Sequence, residues 1–259
     1  MMTLKVKLMH VEIKGIIIKE ANYKDDDKIL TIFTAEKGII SAVARGCKKM
    51  KNRVGAILQI FSYGTFYLRA TPKGYTINDA RVDEVFFGLR GNLERLALAQ
   101  YFCELIFAFS PEYPNSQDFL KLFLNSLYYL ANGKKDYKIL KSIFELRACS
   151  MCGYEPDLIG CIECKKYVTP VMNFFIDRGV LMCENCAKRV KKFNSYKISE
   201  AVVLSLKHII YSPVEKIFSF KISDSCLKIL SEITEIYVMF HLDYRFKSLD
   251  FYNKLHDLN

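Results

Sequence analysis

Two Cys-x2-Cys pairs, Cys161/Cys164 and Cys183/Cys186, stand eighteen residues apart, and no other feature of this chain limits its folding so sharply. A Cys-x2-Cys turn brings both sulfurs to one side of the backbone, so two such pairs at this spacing can supply a tetrahedral four-thiolate site. Four soft thiolates fill the tetrahedron and leave no position for water. That chemistry points to one structural Zn2+ per chain rather than a catalytic ion. Between the pairs, the apolar runs Asn173–Ile176 and Val180–Met182 flank Asp177-Arg178-Gly179, a turn signal that folds the second pair back onto the first. The histidines His10, His208, His241 and His256 lie far from the pairs, and none builds the His-x-Glu signature of a zinc deaminase. A third pair, Cys149/Cys152, lies only eight residues before Cys161, at the predicted end of a helix. It reads there as two small side chains on one helical face and is left out of the site.

A chain of 259 residues, 51% hydrophobic, can bury enough surface for two domains. Nine cysteines, an odd count, do not make a disulfide framework, and Lys5 and Lys7 precede any apolar run at the N-terminus. A reducing cytoplasm is therefore expected. The most apolar helical run, Leu96 to Phe109, contains Gln100 and Glu104 and is too short to cross a bilayer, so no membrane span is expected. The formal net charge of +10 attracts polyanions, nucleic acid first among them.

Five short β-rich runs open the chain: His10–Lys19, Lys28–Thr34, Ile39–Ala44, Ile60–Thr71 and Tyr75–Ala80, separated by polar or Gly-containing turns. Their number and length suit an OB fold, a five-stranded barrel that presents one face and its loops to nucleic acid. Between the third and fourth runs lie Arg45, Lys48, Lys49, Lys51 and Arg53 with no acid among them. Five uncompensated charges repel one another unless an anion neutralises them, so this turn is the predicted nucleic-acid-binding segment. Phe61, Tyr63, Phe66 and Tyr67 are near enough for base stacking, but alternate positions of a barrel strand must face inward, which assigns the aromatics to the core.

From Val82 the period becomes helical. Asn92 can cap a helix through Leu93, Leu96, Ala97, Tyr101 and Leu105, and further helices are predicted from Ser116 or Gln117 to Ala131 and from Lys135 to about Met151. After the cysteine hairpin comes a second basic cluster, Lys188, Arg189, Lys191 and Lys192; then Ser199 and Ser223 or Asp224 can cap two more helices. No Walker loop, nucleophile elbow or paired-carboxylate arrangement appears. The expected fold class is α+β: an OB-fold β-barrel over residues 1–81, then a helical domain over 82–259 carrying an inserted four-cysteine zinc element at about 158–190.

Several local features occur in an order that resembles the RecO family of bacterial recombination mediators: Lys14-Gly15-Ile16-Ile17-Ile18, Ala44-Arg45-Gly46, and Gly153-Tyr154-Glu155-Pro156-Asp157-Leu158 before the first cysteine pair. The resemblance implies a noncatalytic, nucleoid-associated protein that binds single- and double-stranded DNA and anneals complementary strands. It further implies that the protein cooperates with RecR to load RecA onto strands coated by single-strand-binding protein (SSB), recognising the acidic C-terminal tail of SSB. By position Cys161, Cys164, Cys183 and Cys186 match that family's zinc ligands, and Arg45, Lys48, Lys49, Lys51 and Arg53 fall in its DNA-facing region; the Cys149/Cys152 pair departs from its pattern. Two other classes stay open on the residues alone. One is a zinc-ribbon RNA-binding or transcription-associated protein; the other is an enzyme whose metal keeps an open coordination position.

Overall fold

The computed structural model describes residues 10–49, 55, 57–72, 74–109, 117–190 and 194–257. Strands β1 (His10–Tyr23), β2 (Asp27–Thr34), β3 (Gly38–Ala44), β4 (Ser62–Thr71) and β5 (Gly74–Val85) close into a barrel in the order β1-β2-β3-β5-β4. β1 closes it by serving two neighbours: His10–Ile16 pairs with β4 and Gly15–Tyr23 with β2, with a register shift between Ile17 and Lys19. At the crossing point the backbones are so near that a side chain on Gly15 would meet the Phe33 carbonyl at 2.6 Å. Alternate residues Ile13, Ile17, Leu30, Ile32, Ile40, Phe66 and Leu68 fill the interior. Each such side chain contributes roughly 1.5–3 kcal/mol by leaving water. The fifth strand outruns its expected end: Ala80–Val85 continues the ladder against β4 as far as Ser62↔Val85, where a helical period was read from Val82. Arg81, Asp83 and Glu84 are exposed on that extension, so its charges stay in water.

The helices are α1 (Leu93–Phe109), α2 (Gln117–Asn132), α3 (Tyr137–Met151), α4 (Glu200–Tyr211), α5 (Asp224–Leu242) and α6 (Lys247–Asp257). The Asn92 carboxamide oxygen accepts from the Arg95 amide at 2.9 Å, and Asp136 accepts from the amides of Lys138 and Ile139, so both starts are capped by side chains. α3 packs against α1, α4 and α5, and its whole stretch Leu140–Leu146 is buried. Phe144 stacks on Phe102 of α1 at 4.2 Å. None of the described helices is long and apolar enough to cross a membrane.

The cysteine hairpin belongs to a larger sheet than its turn signal announced. β6 (Asp157–Cys161), β7 (Val171–Phe175), β8 (Val180–Cys183) and β9 (Ser195–Ser199) lie in the order β6-β8-β7-β9. The hairpin β7–β8 turns at Gly179 with φ +62°, and Phe174 of its buried face meets the Tyr237 ring of α5 at 5.6 Å. A side chain on Gly179 would reach the Tyr237 hydroxyl at 2.7 Å, so the turn needs glycine for its space as well as its backbone angle.

The chain divides into two compact units. One takes the chain to Phe87 together with the start of α2 up to Lys121; the other takes Gly88–Phe109 and everything from Leu122 on.

Candidate metal centre and nucleic-acid interface

Strand ends bring the four predicted ligands together. Cys161 closes β6 and Cys183 closes β8; Cys164 lies in the turn that follows β6, and Cys186 in the single helical turn Glu184–Ala187. The first turn is tied by Lys165 N to the Cys161 carbonyl (2.9 Å) and Cys161 N to the Lys166 carbonyl (2.8 Å), with Lys165 in the left-handed region. Ile162 N bonds the Leu181 carbonyl at 2.8 Å and so locks that turn to β8. The four sulfurs lie within 4.8 Å of one another, and Cys164 and Cys183 stand 3.6 Å apart with no disulfide. Thiolates about 2.3 Å from a tetrahedral ion would be separated by about 3.8 Å, so the donor set fits a four-sulfur metal site. Burial opposes the Cys161 thiolate, but the amides of Cys164, Cys183 and Glu163 outweigh it and bring its pKa to about 6. Cys186 is pushed up to about 12, first by its hydrogen bond with Cys183. Sulfurs this close cannot all carry charge unless a cation offsets it.

Cys149 and Cys152 lie outside this cluster. Cys149 is enclosed in α3, and burial, then Glu145 and Cys152, holds its thiol well above the usual range; burial pushes Cys152 up to about 12. Neither is a ready thiolate.

On the barrel, Arg45, Lys48 and Lys49 are exposed on the turn leaving β3; residues 51 and 53 lie outside the described residues. Gly46, at φ +59°, lets the chain double back, and its amide donates to the Asp27 carboxylate at 2.8 Å. The structure also places the acidic Asp25-Asp26-Asp27 run against this turn. Lys49 pairs with Asp26 at 3.5 Å, Lys48 donates to the Asp25 carbonyl at 3.2 Å, and the Lys48 amide donates to the Asp26 carbonyl. The turn is therefore partly compensated, contrary to the expectation from its own residues. Beside it opens a cleft of about 520 Å3 bordered by Tyr23, Lys24, Arg45 and Tyr75. Of the aromatics read from the sequence, Phe61 and Phe66 are buried, Tyr63 is half-buried and Tyr67 is 36% exposed. The cleft's own aromatics, Tyr23 and Tyr75, were missed because they sit at strand ends, where alternation no longer tells inside from outside.

In the second basic cluster Lys188 and Arg189 are exposed beside Cys186, and residues 191 and 192 lie outside the described residues. A charged group the sequence did not single out is Lys141, 1% exposed, bridging Glu145 (3.0 Å) and Glu235 (2.8 Å). Glu145 also accepts from the hydroxyls of Tyr101 (2.8 Å) and Thr234 (2.7 Å).

Comparison with known proteins agrees with this architecture along its length. A family model described as "Recombination protein O N terminal" matches residues 9–86, and one described as "Recombination protein O C terminal" matches residues 90–250. The chain is 33% identical over 246 residues to a DNA repair protein RecO of Acetivibrio thermocellus, covering 95% of this chain and 97% of that relative. It is 31% identical to a DNA repair protein RecO of Caldicellulosiruptor saccharolyticus over 93% of this chain and 97% of the relative. With an OB-like barrel, a helical domain and a four-cysteine cluster in place, and with both halves matched, the chain belongs to the RecO family of DNA repair and recombination proteins.

Proposed function

We propose that this protein is a noncatalytic recombination mediator that binds single- and double-stranded DNA and anneals complementary strands. With RecR it helps load RecA onto SSB-coated single strands, engaging the SSB C-terminal tail. The observation that carries the DNA contact is the barrel cleft in which Tyr23, Lys24, Arg45 and Tyr75 meet beside the basic turn. Aromatic rings and cations in one groove serve any unpaired sequence, because every base has a face to stack and every nucleotide a phosphate to neutralise. Annealing needs no base readout from the protein. Cations that displace condensed counterions from both strands favour the assembled complex through the entropy of ion release. Arg45, Lys48, Lys49, Lys51 and Arg53 are the proposed phosphate contacts, with Lys188, Arg189, Lys191 and Lys192 as a secondary cluster. Cys161, Cys164, Cys183 and Cys186 would hold one structural zinc ion per chain, which when bound supplies on the order of 10 kcal/mol of local folding free energy.

The test is a salt-titrated annealing assay on SSB-coated strands, with a Lys48→Ala/Lys49→Ala/Lys51→Ala variant beside the parent. Five phosphate contacts to a single strand give a slope of log affinity against log salt of about −3.5, and losing three shallows it to about −1.4. A parent that ignores DNA at low ionic strength, or that prefers one RNA over mixed-sequence DNA, overturns the reading.

A further inference from the structure

The turn between β6 and β7 carries an arrangement that the cysteine cluster does not need. Tyr167 is 65% exposed, yet its ring is held: the ammonium of Lys207, a residue of α4 that is only 7% exposed, lies 3.3 Å from the ring centre. The same ammonium donates to the carbonyls of Ile159 (2.9 Å) and Tyr167 (3.3 Å), so two oxygens and an aromatic face use its three N–H groups. The backbone under the ring is fixed as well. Cys161 N holds the Lys166 carbonyl, and Gly160 leaves room for it where a Cβ would stand 2.7 Å from that oxygen.

An exposed tyrosine ordinarily loses side-chain freedom when something stacks on it. Here Lys207 has already taken that freedom, so the open face is preorganised. Lys165 and Lys166 precede the ring, both are exposed, and among the described residues neither enters an ion pair. Between Asp157 and Asp177 the only acid is Glu163. A fixed, largely exposed ring next to two cations matches an unpaired nucleotide, which brings both a base to stack and a phosphate to neutralise. A duplex keeps its base faces stacked inside and gives such a ring nothing to cover.

We propose that Tyr167, with Lys165 and Lys166, is a stacking platform for an unpaired base of single-stranded DNA, held in position by Lys207. The proposal rests on the DNA-binding reading above and places a second contact on the cysteine-bearing element.

The chain contains no tryptophan, so a Tyr167→Trp variant of the full-length, zinc-loaded protein carries a single reporter at the platform. Its emission is expected to be quenched by mixed-sequence single strands and left unchanged by a blunt duplex. Tyr167→Ala is expected to weaken single-strand affinity about 5- to 150-fold, while Tyr167→Phe retains it. Lys207→Met, a positioning change, is expected to move the quenching in the Tyr167→Trp background to about 2- to 13-fold higher DNA concentration while zinc content stays the same. Equal affinity of the parent and Tyr167→Ala overturns the platform, as does equal quenching by single strand and duplex, or quenching by an acidic peptide but not by DNA. If the parent binds no DNA, the broader DNA-binding reading fails instead, and the two failures are separable.

Discussion

Lys141 shows how much a single side chain can carry. Its ammonium lies between Glu145 and Glu235, and burial raises the Glu145 pKa, with Lys141 opposing and Glu235 adding to that rise. Lys141→Met removes the cation and leaves one carboxylate enclosed and a second facing it, a loss of about 3–5 kcal/mol measurable by urea unfolding. The pH dependence has a definite sign. An acid whose folded pKa is raised binds more protons folded than unfolded, so it lowers stability as pH climbs from the unfolded to the folded value. Without Lys141 that rise is larger, so the variant's deficit is expected to shrink as pH falls through the carboxylate range. Adding Glu145→Gln should restore part of the loss at neutral pH. The i, i+4 pair Lys141/Glu145 was present in the sequence, but a helical period cannot reveal that α3 is enclosed on the face where a charged pair would ordinarily meet solvent.

At the level of elements, local signals were legible and distant pairings were not. The two Cys-x2-Cys turns and Asp177-Arg178-Gly179 announce themselves within a few residues, and the four sulfurs do converge. β6 and β9 are only five residues each, and their pairing with β8 and β7 makes them strands. Removal of metal by a chelator, or Cys161→Ser, is expected to erase amide protection in β6 to β9; protection unchanged from the parent would contradict a structural ion. The Asp25–Asp27 turn was likewise visible as a charge run, but its contact with the basic turn belongs to the closed barrel. On the proposed DNA-binding reading, Asp26 competes with phosphate for Lys49, so Asp26→Ala is expected to strengthen single-strand binding while leaving the salt slope near the parent's, a change read by titrating labelled DNA at several ionic strengths. Stability should move by less than about 1 kcal/mol, because the pair is exposed.

For the whole molecule, the sequence conveyed an OB-like barrel followed by helices because the switch from a period of two to one of 3.6 extends over long stretches. It did not convey what packs against the barrel. Phe33 of β2 sets its ring edge-on against Phe119 of α2 at 5.6 Å, and that first turn of the helix is grouped with the strands although the rest of α2 is not. A truncation ending at Phe87 therefore strips Phe33, 1% exposed in the intact chain, of an aromatic neighbour. Such a fragment is expected to bind a hydrophobic dye and melt lower than one that regains residues 117–121. Anyone trimming this protein for separate study meets a seam that does not follow the reading order of the gene: the strand-built unit takes its last helical turn from residues that come after α1 in the chain.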